Sequence, residues 1–145
     1  MGVLERTQQV PVTLEAAFEF FADPQNLAEI TPPWLHFRIL EAPERAYRGA
    51  RIRYRLRIKG VRVRWLTAIT EWRPPHTFTD VQLSGPYRLW EHTHRLTPVA
   101  GGTEIYDHVR YRVPGGDVVD RLVVRRLLDE IFDYRRTRIA ELFGD

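Results

Sequence analysis

The chain has 145 residues, with 22 basic and 19 acidic side chains giving a net charge of +3, and it contains no cysteine. That length suits one ordinary domain with its own core over residues 1–145, held without disulfides or metals. The charge is too mild for a dedicated nucleic-acid binder. No apolar run approaches the ~20 residues that cross a bilayer and no basic-then-apolar leader opens the chain, so a cytoplasmic protein is expected.

The opening VLERTQQVPV alternates weakly and reads as a strand ending at Pro11, and TLEAAFEFFAD then carries apolar residues at helical spacing behind a Thr13 N-cap. Asp23 followed by Pro24 predicts a second N-cap and a short helix over PQNLAEI, stopped by Thr31, Pro32 and Pro33. From Leu35 the period becomes two, with strands expected at 35–41, 50–59, 61–72, 77–84, 87–97 and 103–113. Turn chemistry at Lys59-Gly60, Ser84-Gly85-Pro86 and Ala100-Gly101-Gly102 makes these an antiparallel meander. After Pro114-Gly115-Gly116, Asp117 is placed to cap a helix running to about Leu142, nearly ~40 Å long at 1.5 Å per residue. Leu128, Ile131, Phe132, Ile139, Leu142 and Phe143 form its apolar stripe. Val119, Leu122 and Val123 point elsewhere, with only the Pro32-Pro33-Trp34 segment as an expected partner.

The order of one strand, two short helices, six strands and a long C-terminal helix resembles the helix-grip fold of the SRPBCC superfamily, which includes START and plant-allergen domains. The stretches FFADPQNLAEITPPWLHFRIL, VRWLTAITEWRPPHTFTDVQLSGPY, WEHTHRL and IFDYRR are similar to bacterial cyclase/dehydrase-like members, some of whose relatives are fused to sugar-nucleotide epimerase-like domains. The resemblance covers nearly the whole chain. It implies an α+β helix-grip fold in which a curved, antiparallel seven-stranded sheet wraps around the long helix. It also implies a cavity between sheet and helix that takes lipids, hormones, polyketides or other apolar molecules.

Register decides which side chains face that cavity. A tight hairpin at Lys59-Gly60 pairs Ile58 with Val61, Leu56 with Val63 and Tyr54 with Trp65, which turns Ile52, Tyr54, Leu56, Ile58 and Trp65 inward. The other face becomes an arginine ladder of Arg51, Arg53, Arg55, Arg57, Arg62 and Arg64. Like charges across two strands are unfavourable unless acids or an anionic partner intervene. The plainest expectation is a solvated face paired with nearby glutamates, and a homodimer contact or a nucleic-acid surface are the alternatives. Poor aromatic interleaving argues against single-stranded RNA, so no nucleic-acid partner is expected.

In the last hairpin, matching apolar faces sets Leu96 opposite Ile105, His94 opposite Asp107, His92 opposite Val109 and Trp90 opposite Tyr111. A carboxylate across from His94 would orient its ring and favour its protonated form. With Phe78 inward, Asp80 and Gln82 point inward too. Arg135 falls on the buried stripe of the long helix and needs a partner there: Asp80, Asp107 or the anionic end of a ligand.

The leading reading is a module that binds a small, mainly hydrophobic molecule with a polar or anionic end. Tyr54, Trp65 and Trp90 would line the apolar pocket, and Asp80, Gln82, His92, His94, Asp107 and Arg135 would hold the polar end. A satisfied internal network is the structural alternative for those six. An enzyme of the cyclase, dehydratase or hydrolase kind would use His94 backed by Asp107 as a general base, with Arg135 stabilising an enolate-like anion. An interaction domain partnering an epimerase-like protein is the remaining alternative. His92, His94 and Asp107 could form a two-histidine, one-carboxylate metal set, but H-x-H is a weak motif, so neither a metal nor another cofactor is expected. His36, His76 and His108 read as loop or outward residues.

Overall fold

Strand β1 (Gly2–Val10) opens the chain and β2 (Arg38–Glu41), β3 (Arg51–Ile58), β4 (Val61–Arg73), β5 (Thr77–Ser84), β6 (Leu89–Val99) and β7 (Gly102–Arg112) follow, in a computed structural model that describes residues 1–144. All seven pair antiparallel in the order β1-β7-β6-β5-β4-β3-β2, so the first strand closes against the last. Helices α1 (Leu14–Ala22) and α2 (Asn26–Glu29) lie between β1 and β2. The C-terminal helical run comprises α3 (Gly116–Val119), π-helical turns at Asp120–Val124 and α4 (Arg125–Phe143). This is the helix-grip fold, with the elements in the expected order.

Local chemistry explains most boundaries. Thr13 is extended and its Oγ1 accepts from Ala16 N at 3.1 Å, satisfying one orphan donor at the start of α1. Thr13→Ala is expected to lower the unfolding free energy by about 1 kcal/mol, measured by urea denaturation. Between β3 and β4, Lys59 and Gly60 both take positive φ (50° and 81°), the conformation that a two-residue hairpin of primed type requires.

Several boundaries differ from the sequence reading: β6 runs two residues later than expected, and three others have a local cause. Asp23 Oδ1 accepts from Gln25 N at 3.0 Å, so it organises a turn and α2 starts only at Asn26. Strand β2 starts at Arg38, three residues late, because Pro33–Leu35 forms a 3-10 turn and His36 takes φ 50°. Gly115, at φ 90°, precedes the C-terminal helix, which begins at Gly116. Asp117 therefore sits inside the first turn and meets the Met1 amino group at 3.3 Å instead of capping.

Helix α4 buries Leu128, Phe132, Arg135 and Ile139, the spacing of one face. Leu128 and Phe132 join a cluster with Ile52, Tyr54, Leu56, Trp65, Trp90, Val109 and Tyr111. Ile139 joins a second cluster with Ala17, Phe18, Phe78, Leu96 and Ile105. Leu142 stays 38% exposed, outside the stripe expected for it. Val119, Leu122 and Val123 remain exposed instead of packing on the Pro32–Trp34 segment, and Trp34 meets Tyr134 edge-on at 5.7 Å. Among the described residues, no helix is long and apolar enough to cross a membrane.

Candidate functional site

Three inward-facing elements read apolar, polar, apolar. On β6 the sequence is Trp90, His92, His94, Leu96, on β7 it is Tyr111, Val109, Asp107, Ile105, and on α4 it is Phe132, Arg135, Ile139. The register that aligns them is the expected one, with Trp90 opposite Tyr111, His92 opposite Val109, His94 opposite Asp107 and Leu96 opposite Ile105. A polar belt therefore lies between the two apolar clusters. Phe78 is buried, and Asp80, two residues on, completes the belt from β5.

The carboxylates are shared differently from the sequence reading. Asp107 Oδ1 accepts from Arg135 Nη2 at 3.1 Å and lies 2.8 Å from His92 Nε2, but 3.4 Å from His94 Nδ1. His94 is bound through Nε2 to Asp80 Oδ2 at 2.8 Å. Cross-strand residues on one face lean along their strands, so the direct opposite need not be the bonded partner. The orienting carboxylate of His94 is thus Asp80, while Asp107 joins His92 to Arg135.

Packing fixes the rings as firmly as the hydrogen bonds do. His92 and His94 stack at 3.6 Å, and Phe78 stacks on the far face of the pair at 4.0 Å from His94. The Arg135 guanidinium lies 5.4 Å from the Phe21 ring and 5.7 Å from the Phe132 ring. Sequence reasoning did not single out Phe21 or Phe132 for this role. Both carry ordinary core spacing, and only the position of Arg135 on the stripe hinted at a neighbouring ring.

These surroundings divide the charge. Burial and the nearby His94 cation lower His92 to about 4, against the pull of Asp107, so its ring is neutral at neutral pH. Burial alone would lower His94 as well, but the Asp107 and Asp80 carboxylates outweigh it and raise its pKa. Asp80 is lowered because its bond to His94 and the neighbouring cations outweigh burial. Asp107 is held well below the usual carboxylate range because the Arg135 charge and both histidines outweigh burial. While His94 holds its proton, its charge and that of Arg135 balance the Asp80 and Asp107 carboxylates. That state suits His94 to giving a proton, whereas the general-base role expected of it needs the neutral ring.

Beside the belt a cavity of about 190 Å³ opens between the sheet and the helices, more than ten times the ~10–15 Å³ needed by one water. Tyr54, Trp65, Asp80, Trp90, His92, His94 and Arg135 line it, together with Thr67 and Phe132. The aromatic residues therefore do not fill the space themselves. Trp65 Nε1 and Arg135 Nε are buried and make no hydrogen bond within the protein.

Two of the expected site residues lie outside this lining. Gln82 turns away to clamp the β5–β6 turn, donating from Nε2 to Tyr87 O at 2.7 Å and accepting from Tyr87 N at 3.0 Å. Asp107 sits beneath the cavity wall, behind His92 and Arg135. Donor atoms of Asp80, His92 and His94 lie within 4.8 Å of one another, a different trio from the metal set considered from sequence. A cation there would break the His94–Asp80 bond and sit beside Arg135, so the donor set fits an internal ion-pair network better.

The profile of a family described as polyketide cyclase / dehydrase and lipid transport matches residues 1–143. No curated protein sequence matches the chain. Among solved structures, protein CV1439 from Chromobacterium violaceum is 15% identical with a TM-score of 0.79, over 100% of this chain and 99% of that one. Ara h 8.0201 is 16% identical with a TM-score of 0.68, over 97% and 98%. A nucleoside-diphosphate sugar epimerase from Corynebacterium glutamicum is 24% identical with a TM-score of 0.71, over 95% of this chain but only 28% of that one. At these identities the likeness carries the fold, and function must be argued from the site.

Proposed function

The chain belongs to the polyketide cyclase / dehydrase and lipid transport family, and from that premise we propose that it binds a small, mainly hydrophobic molecule with one polar or anionic end. The observation that carries this reading is the cavity itself: a largely apolar, aromatic chamber with a fixed polar belt in its wall. Tyr54, Trp65 and Trp90 contact the apolar body, and Trp65 Nε1 offers a hydrogen bond to an acceptor on it. At the polar end, His94 in its protonated form and Arg135 attract an anion or enol oxygen, and Asp80 and His92 fix the ligand's orientation. Asp107 and Gln82 act as supports, one holding His92 and Arg135 in place and the other holding the turn beside Tyr87.

The test uses 1-anilinonaphthalene-8-sulfonate, an aromatic probe with an anionic end, alongside native mass spectrometry of freshly purified protein. Micromolar dye binding is expected, and Ile52→Trp should weaken it at least tenfold by filling the chamber, with the denaturant midpoint reporting that the variant still folds. A bare polypeptide mass together with no dye binding by the folded protein would overturn the reading.

A further inference from the structure

The outer face of β2, β3 and β4 carries Arg38, Arg51, Arg53, Arg55, Arg57, Arg62 and Arg64, the ladder expected from sequence with one further member from β2. The register sets like charges directly opposite one another: Arg55 faces Arg64 on one side and Arg38 on the other, and Arg57 faces Arg62. Pairing with nearby glutamates, the plainest expectation for this face, does not occur. Among the described residues, none of the seven makes a salt bridge or a side-chain hydrogen bond. Glu41 lies opposite Arg53 without pairing to it, and Glu71 pairs with Arg73. Six of the seven are exposed and Arg55, at the centre, is half-buried. Opposed like charges destabilise a sheet, so this face is built at a cost to the fold.

We propose that the β2–β3–β4 face docks on the phosphate backbone of a nucleic-acid duplex without reading its sequence. Guanidinium groups match phosphate oxygens in a bidentate fork. Four of them at alternate positions of β3 extend over about 20 Å at ~3.4 Å per residue, with neighbouring strands ~4.8 Å away. A duplex carries a charge every ~1.7 Å of axis, so about 12 phosphates lie along that length and roughly half of them face the sheet. The expectation of no nucleic acid rested on mild net charge and missing aromatics. Those weigh against stacking on unpaired bases and leave backbone contact open.

The other occupants fit less well. A second copy docking the same face by two-fold symmetry would set the ladder against itself. Interfaces with proteins centre on aromatic or aliphatic anchors and are depleted of charge at the core, whereas here charge is the core. An interfacial membrane contact needs an apolar face to enter the headgroups, and among the described residues Leu40, 41% exposed, is the one exposed large apolar side chain on these strands away from the hairpin tip.

The experiment is fluorescence anisotropy with labelled 20-base-pair DNA and RNA duplexes of mixed sequence, from 50 to 200 mM NaCl. It compares the wild type with the Arg55→Gln, Arg57→Gln, Arg62→Gln, Arg64→Gln quadruple variant. Wild-type affinity should fall steeply with salt, and the variant should bind at least tenfold more weakly at 50 mM with a log–log slope shallower by about 3 to 4. Its melting temperature should be unchanged or higher, since opposed charges are removed. Should it fail to fold, Arg57→Gln with Arg62→Gln is used, with half the slope change. Retention of dye binding in the cavity by the variant separates this surface from the ligand site. Absence of duplex binding at 50 mM salt, equal binding by the variant, or displacement of the duplex by poly-glutamate or anionic vesicles at matched charge would each overturn the proposal.

Discussion

Arg135→Met is expected to lower the unfolding free energy by about 3–5 kcal/mol at pH 7, the usual consequence of removing one partner from a buried ion pair. Arg135 is buried on the helix face and supplies the permanent positive charge that Asp107 needs. Without it, Asp107 keeps a neutral His92 and one longer ion pair, to His94 at 3.4 Å, whose charge Asp80 already shares. Asp107 must then stay charged with poor compensation or take up a proton, and either response penalises the folded state. Arg135→Met combined with Asp107→Asn should recover much of the loss, because the pair then leaves no buried charge behind. Urea unfolding of the three variants beside the wild type measures this directly. A single-variant cost below about 1 kcal/mol would mean that solvent in the cavity screens the pair, as it does for exposed ion pairs.

That dependence on one guanidinium is partly legible in the amino-acid sequence. The helical period puts Arg135 among Leu128, Ile131 and Ile139, and a charge on a buried stripe demands a partner. Strand alternation and the apolar faces likewise determine both hairpin registers, because a one-residue slip would turn each hydrophobic set outward. What alternation cannot supply is the direction in which a side chain leans. Asp107 is across from His94 yet bonds His92, and Asp80 reaches His94 from a third strand. Gln82 shares the parity of Phe78 and Asp80, but the neighbouring turn offers Tyr87's backbone groups as better partners than the cavity. The unpaired state of the arginine ladder is also out of reach of alternation, since whether an outward charge finds an acid depends on loops and neighbouring strands.

Stability is expected to peak near pH 6.5, with both arms of the profile traceable to the stacked histidines. His92 titrates at about 4 in the folded protein against an ordinary value of 6.5, so the unfolded chain takes up a proton that the native state refuses. Stability therefore falls as pH drops from 6.5 toward 4, by about 3 kcal/mol for a shift of this size. Asp80 and Asp107, both lowered, extend the loss below pH 4 as the native carboxylates are forced to protonate. His94 has the opposite sign. Its raised pKa gives stability that is fully present below 6.5 and disappears as pH rises through its folded value. The two rings are coupled because they stack at 3.6 Å, and the cation on one opposes a cation on the other. Urea unfolding from pH 4 to 9 distinguishes them. His92→Gln should flatten the acid arm between 6.5 and 4 while preserving the alkaline arm. His94→Gln should remove the alkaline arm and also weaken the acid one, because His92 is then relieved of its cationic neighbour. An acid arm that persists unchanged in His92→Gln would refute this division of charge, and with it the assignment of His94 as the protonated ring facing the cavity.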